Sequence, residues 1–209
     1  MISQYFRSIT VVVFLILCLN SAMAQEEMVE ELMPPGLSVG VQAPDFTAAT
    51  HEGTKVTLSE QYAKGPVVLI FYRGAWCPYC SLHLKSFQAK LQDFNALGAT
   101  VLAVSVDKPE FGKQIVQKEG LGFQVISDPR ADILEAYRVL YQVPEDLAKK
   151  YLNEYQLDLQ AHSGRNDAVI AVPATYVIST GGTIVFAYAN EDYKVRTQPE
   201  EILEVLRRK

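Results

Sequence analysis

No internal repeat and no low-complexity tract appears in these 209 residues, and positive charge is in deficit, 19 Lys and Arg against 24 Asp and Glu. A net charge of −5 gives no electrostatic footprint for a polyanion, which argues against nucleic acid and anionic membrane surfaces as partners. Cysteine and histidine are scarce, three of each. A metal site would need ligands that lie close together, and His51 and His162 are far in sequence from the cysteines. After Leu19 no apolar run is long enough to span a bilayer. What remains is 49% hydrophobic and 21% charged, the composition of an ordinary globular chain, at a length that suits one domain.

The N-terminus is a separate matter. Arg7 supplies a cation, Ile9 to Leu19 is almost wholly apolar, and Ser21-Ala22-Met23-Ala24 ends in a small-x-small pattern. This predicts a signal peptide over 1–24, cleaved after Ala24, and an exported, periplasmic or extracytoplasmic protein. The alternative is an uncleaved anchor, and only then is a membrane a partner. Cys18 follows Leu17, where a lipid-modified cysteine normally follows a small residue. Removal of 1–24 takes away Arg7, leaves a charge of −6, and leaves two cysteines, Cys77 and Cys80, in an oxidising compartment. Residues 25–38, acidic and then Pro34-Pro35-Gly36, read as a linker, and 39–209 as the domain.

Within that domain, short β segments are expected around Phe46 and Val56. Val67 to Tyr72 has no polar alternation, as in a strand buried on both faces. Residues 78–97 carry apolar groups near helical spacing until Gly98, so one helix is expected beside the cysteines. Val101–Val106 reads as a strand, 109–119 as a helix and 123–126 as a short strand. Asp128-Pro129 reads as cap and first residue of the next helix. Another helix starts at Pro144-Glu145-Asp146, with Leu147, Tyr151 and Tyr155 on one stripe. Residues 157–168 read as a surface loop, 174–188 as a hairpin turning at Gly181-Gly182, and the segment from Pro199 as a terminal helix. Strands alternating with helices predict an α/β domain of three layers with a central mixed sheet.

The chemistry sits in Trp76-Cys77-Pro78-Tyr79-Cys80, where a buried strand ends and a helix begins. Unpaired N–H groups and the helix dipole favour a thiolate there, which makes Cys77 the expected nucleophile on the exposed helix start. Cys80, one turn on and turned inward, can attack a mixed disulfide on Cys77, and Pro78 stiffens the turn. A structural disulfide is a poor alternative, because so short a loop gives little entropic stabilisation. A copper or zinc site of Cys77, Cys80 and His83 is the rival of a different class. The residue after Cys80 is Ser81, so the haem-attachment pattern fails.

Phe71-Tyr72-Arg73-Gly74-Ala75-Trp76-Cys77-Pro78-Tyr79-Cys80 resembles the active-site strand and turn of peroxiredoxin-like members of the alkyl hydroperoxide reductase/thiol-specific antioxidant (AhpC/TSA) family, with a thioredoxin-like fold. The Cys-Pro-Tyr-Cys tetrad is also that of glutaredoxins. Gly40-Val41-Gln42-Ala43-Pro44-Asp45-Phe46 is similar to the family's opening strand, Val104-Ser105-Val106-Asp107 to its next core strand, and Val172-Pro173-Ala174-Thr175-Tyr176-Val177-Ile178 to its late strand. The resemblance implies a thiol oxidoreductase that cycles Cys77–Cys80 to reduce disulfides, peroxides or both. It implies a thioredoxin-like electron donor or a thiol/disulfide protein partner, and no cofactor is called for. It also implies a cis Pro173 facing the cysteines, with Val172 offering backbone hydrogen bonds to substrate. Trp76 and Tyr79 are expected at the rim.

The departures matter as much. Ordinary peroxiredoxins carry a threonine three residues before the reacting cysteine and an arginine beside it, and the matching positions here are Gly74 and Pro173. Without those donors direct peroxide reduction is expected to be inefficient, unless Arg73 substitutes as an accessory cation. Phe71 stands where thioredoxins hold a buried aspartate for proton transfer. His83 and Lys85 are expected on a solvated helix face.

Overall fold

Every side chain of Val67–Phe71 is fully buried, and a strand so placed lies in the interior of a sheet covered on both faces. The structure, a computed structural model, describes residues 34–208. The expected leader, its cleavage after Ala24 and most of the linker fall outside that range. The strands are β1 (Thr47–Thr50), β2 (Lys55–Thr57), β3 (Val67–Phe71), β4 (Thr100–Ser105), β5 (Gln124–Ser127), β6 (Leu140–Gln142), β7 (Val169–Ala171), β8 (Ala174–Ile178) and β9 (Ile184–Ala189). The helices are α1 (Leu58–Tyr62), α2 (Pro78–Ala89), α3 (Leu91–Ala96), α4 (Pro109–Glu119), α5 (Asp132–Ala136), α6 (Glu145–Tyr155), α7 (Leu159–Ser163) and α8 (Pro199–Arg207).

Seven strands form one mixed sheet in the order β2-β1-β5-β4-β3-β8-β9, and β6 and β7 pair apart from it. β3, β4 and β5 run parallel, and the remaining pairs are antiparallel. Alternate residues of β3 feed two cores. Val67, Leu69 and Phe71 join Ile133, Leu134, Tyr137 and Tyr176 on one face. Val68, Ile70 and the following Tyr72 join Leu84 and Phe87 of α2 and Ile202, Leu203 and Leu206 of α8 on the other. Each fully buried aliphatic side chain is worth about 1.5–3 kcal/mol, so a one-residue slip of β3, which exchanges the two faces, is opposed by both cores. This is the expected three-layer α/β architecture, and it puts Cys77 and Cys80 in the α2–α8 core.

Local departures have local causes. The helix expected over 78–97 breaks at Lys90 (φ −110, ψ 9), and the turn lets Phe94 of α3 stack on Phe87 of α2 at 5.5 Å. Pro129 is not the first residue of a helix: Ala131 adopts a left-handed conformation (φ 64) and α5 starts at Asp132. Asp128 still caps it across the turn, its Oδ2 accepting from the N–H groups of Ile133 (2.9 Å) and Leu134 (3.0 Å). The loop expected over 157–168 contains α7, whose Asp158 cap accepts from Ala161 N–H at 3.0 Å. Docking onto the domain also begins before Val39. Gly36 N–H donates to the Arg138 carbonyl (2.8 Å), and Leu37 N–H to the Tyr176 hydroxyl (3.0 Å).

Candidate active site

Cys77 is the N-cap of α2, with extended backbone (φ −85, ψ 115) and Pro78 at the first helical position. Its N–H donates to the Gly74 carbonyl, and its carbonyl accepts from the N–H groups of Cys80 and Ser81, all at 3.1 Å. Both cysteines are free thiols. The expectation that Cys77 is exposed needs correction: it is 1% exposed. It lies against a depression of about 510 Å³ that is also lined by Arg73, Trp76, Pro78, Tyr79, Tyr151, His162 and Tyr193. Cys77 packs into the core between α2 and α8 and meets the surface at this depression.

The two thiols differ in acidity. Hydrogen bonding from the Cys80 thiol is the main reason that Cys77 is brought down to about 6, against the opposing effect of its own burial. The Cys80 N–H and the charges of Arg73 and Arg196 act in the same direction. Cys80 is pushed well above the ordinary thiol range, chiefly by burial. At neutral pH the pair is therefore a Cys77 thiolate beside a Cys80 thiol that donates to it.

Arg73, the expected accessory cation, is buried, 7% exposed. Its Nη2 donates to the Tyr151 hydroxyl at 2.7 Å. Its guanidinium lies 4.2 Å from the Tyr193 ring centroid, 5.0 Å from Trp76 and 5.9 Å from Tyr151. Among the described residues no carboxylate forms an ion pair with it, and its charge helps to lower Cys77. Arg196 is a second cation, with Nη2 3.5 Å from Cys80 Sγ and Nε donating to the Tyr193 carbonyl at 2.6 Å.

Other expected residues sit elsewhere. His83 is buried rather than solvated, and its Nε2 is 3.1 Å from the Thr197 carbonyl. Burial, with Arg196 second, lowers its pKa to about 4. It does not join the cysteines as a ligand, and among the described residues no three His, Cys, Asp or Glu group as for a metal. Lys85 is exposed, as expected. Trp76 and Tyr79 do lie at the depression, Trp76 tilted against Tyr151 (6.1 Å) and Tyr79 edge-on to Tyr193 (5.5 Å).

Pro173 needs a correction: among the described residues no peptide bond is cis, so the bond after Val172 is trans. Val172 already donates its N–H to the Val139 carbonyl (2.7 Å), and the Pro173 carbonyl accepts from Asn190 N–H (3.1 Å). Both line an adjoining hollow of about 310 Å³, which shares Arg73, Tyr151 and Tyr193 with the cysteine depression. Phe71 packs on the sheet face opposite the cysteines, against Tyr137 (5.1 Å) and Tyr176 (5.9 Å). The polar group on the cysteine side is instead the buried hydroxyl of Tyr72, the residue after β3.

The AhpC/TSA family model matches residues 39–187, most of the domain just described. The chain belongs to the AhpC/TSA family. Relatives within reach include two proteins named as candidate peroxiredoxins. One, from Mycobacterium tuberculosis, is 35% identical over 101 residues, 48% of this chain, and the match spans 64% of that relative's own length. The other, from Haemophilus influenzae, is 28% identical over 172 residues, covering 82% of this chain and 97% of that one. Among solved structures, peroxidoxin BcpB of Mycobacterium tuberculosis shares the fold with a TM-score of 0.65 at 19% identity, over 82% of this chain and 97% of that one.

Sequence reasoning missed Arg196, Tyr151, Tyr193 and Asp107 as neighbours of the site. Tyr151 sits on a helix stripe that reads equally well as core, and Arg196 and Tyr193 lie in an irregular segment with no periodic signal.

Proposed function

We propose that the protein is a thiol oxidoreductase that cycles Cys77 and Cys80 between dithiol and disulfide, reducing disulfides and hydroperoxides in an antioxidant role. The observation that carries this is the split acidity of the pair, with Cys77 brought to about 6 and Cys80 raised. The Cys77 thiolate attacks one sulfur of a disulfide or the terminal oxygen of a hydroperoxide. The S–S or O–O bond breaks, two electrons pass to the substrate, and Cys77 is left as a mixed disulfide or a sulfenic acid. Cys80 then displaces the bound thiol or water, forming the Cys77–Cys80 bond, and a thioredoxin-like donor returns two electrons. Arg73 supports the thiolate, and Trp76, Pro78 and Tyr79 meet the substrate at the rim.

Export to an extracytoplasmic compartment completes the reading, supported by the Ile9–Leu19 run and the Ser21–Ala24 pattern. The test is turnover of a disulfide and of a hydroperoxide with a thioredoxin system as reductant. Cys77→Ser should abolish both, and Cys80→Ser should trap a mixed disulfide. Turnover that survives Cys77→Ser overturns the assignment. Cell fractionation with N-terminal sequencing tests export.

A further inference from the structure

Behind the active-site turn lies a buried acid that the cycle above does not use. Asp107, 1% exposed, follows β4. Its Oδ2 accepts the N–H of Ala75, two residues before Cys77, at 2.6 Å. Its Oδ1 is buried without a hydrogen-bond partner and stands 3.6 Å from Nδ1 of His162, which is likewise buried and unpartnered. The His162 ring is fixed independently of that contact. It stacks on Phe111 with centroids 3.9 Å apart, and its backbone carbonyl accepts the Lys108 N–H at 2.9 Å, which ties α7 to the residue after Asp107.

A carboxylate can only accept, so it selects the imidazole with its proton on Nδ1 and leaves Nε2 as the second nitrogen. The His162 side chain is 20% exposed, and it lines the same depression as Cys77. The depression is thus lined both by the thiolate residue and by an imidazole oriented by a buried acid. This has the logic of a base held by a carboxylate in nucleophilic catalysis, with the thiolate already formed.

We propose that His162 is the proton donor to the group that leaves when Cys77 attacks, and that Asp107 is its positioning residue. The proposal rests on the thiol oxidoreductase reading and adds a catalytic residue to it. As the Cys77 sulfur forms its new bond, the S–S or O–O bond of the substrate breaks. The departing sulfur or oxygen keeps the electron pair and takes the proton from Nε2 of the imidazolium, leaving as thiol, alcohol or water. The ring returns to its neutral form with Nδ1–H toward Asp107 and is reprotonated from the open side of the depression. His162 lines the depression, while Asp107 does not and acts only by holding the Nδ1 side of the ring.

The test uses leaving groups of different basicity, because a weakly basic thiolate departs without a proton and a strongly basic one does not. Reduced full-length protein is mixed in single turnover with an aromatic disulfide, 5,5′-dithiobis(2-nitrobenzoate), and with the aliphatic bis(2-hydroxyethyl) disulfide. His162→Gln is expected to slow the aliphatic reaction by roughly 10²-fold, within the usual range of general acid catalysis, and the aromatic one by less than about twofold. Asp107→Asn, which retains an acceptor for Ala75 N–H, should give the same imbalance at about tenfold. Equal slowing of both disulfides, or of neither, overturns the relay. Wild-type protein inert to both overturns the oxidoreductase reading itself, and the relay with it.

Discussion

The indole of Trp76 occupies the space that a side chain on Gly74 would need. A Cβ built on Gly74 would lie 2.8 Å from Cδ1 and 2.9 Å from Cε2 of that ring, distances that real Cβ atoms do not tolerate. The threonine that ordinary peroxiredoxins carry at this position is therefore excluded by the neighbour two residues on, and Trp76 itself is held against Arg73 and Tyr151.

Gly74→Thr should consequently fail to install a peroxidase donor. We expect it to expel the indole and to cost about 2–3 kcal/mol by overpacking. Trp76 is the only tryptophan, so its fluorescence reports the displacement directly, alongside denaturant unfolding. An unshifted emission maximum with unchanged stability would show that the ring yields freely.

Cys80→Ala removes the hydrogen bond that contributes most to the acidity of Cys77. The Cys77 thiol should then titrate above 6, and its alkylation rate at pH 6.5 should fall roughly tenfold, about one pH unit of thiolate fraction. In the reverse variant, Cys77→Ala, the buried Cys80 should alkylate far more slowly than Cys77 does in the wild type, since burial disfavours its thiolate. Peptide mapping after limiting iodoacetamide checks both.

Arg73→Met keeps an apolar stem beneath the three rings and deletes the charge. Cys77 should become less acidic, and alkylation near pH 6 should slow roughly three- to tenfold. Arg73→Lys should restore only part of this, because an ammonium cannot reproduce a planar guanidinium stacked on Tyr193 while donating to Tyr151. Equal rates in all three proteins would remove Arg73 from the site.

His83 gives a prediction about folding. Its folded pKa of about 4 lies below the ordinary value of 6.5, so the unfolded chain binds the extra proton first. The stability it contributes is full above 6.5 and is lost as pH falls through 4, amounting to about 3 kcal/mol. Asp128, raised to about 6 by burial, acts oppositely, stabilising the fold as pH falls from 6 toward its ordinary value near 3.8. The stability difference between wild type and His83→Leu should therefore change by about 3 kcal/mol from pH 7 to pH 4, with Asp128 cancelling between them. A constant difference would mean that His83 is hydrated in solution.

What sequence alone determined were features carried by neighbours along the chain. The unbroken Val67–Tyr72 run made a buried strand, the Pro109 and Pro199 starts made helices, and Cys77-Pro78-Tyr79-Cys80 put two sulfurs one turn apart, because each rests on a local period or cap. The family resemblance followed from the same stretches. Tertiary structure decided everything that depends on which face meets which. Cys77 is buried in the core, His83 is buried beside Thr197, Phe71 packs on the sheet face opposite the sulfurs, and the Val172–Pro173 bond is trans. Arg196 reaches Cys80 across 116 positions of chain, and His162 meets Asp107 across 55. No period or motif encodes such pairings. They exist because sheet order and the packing of helices on both faces bring distant segments to one place, where burial and charge then set the acidity of each thiol.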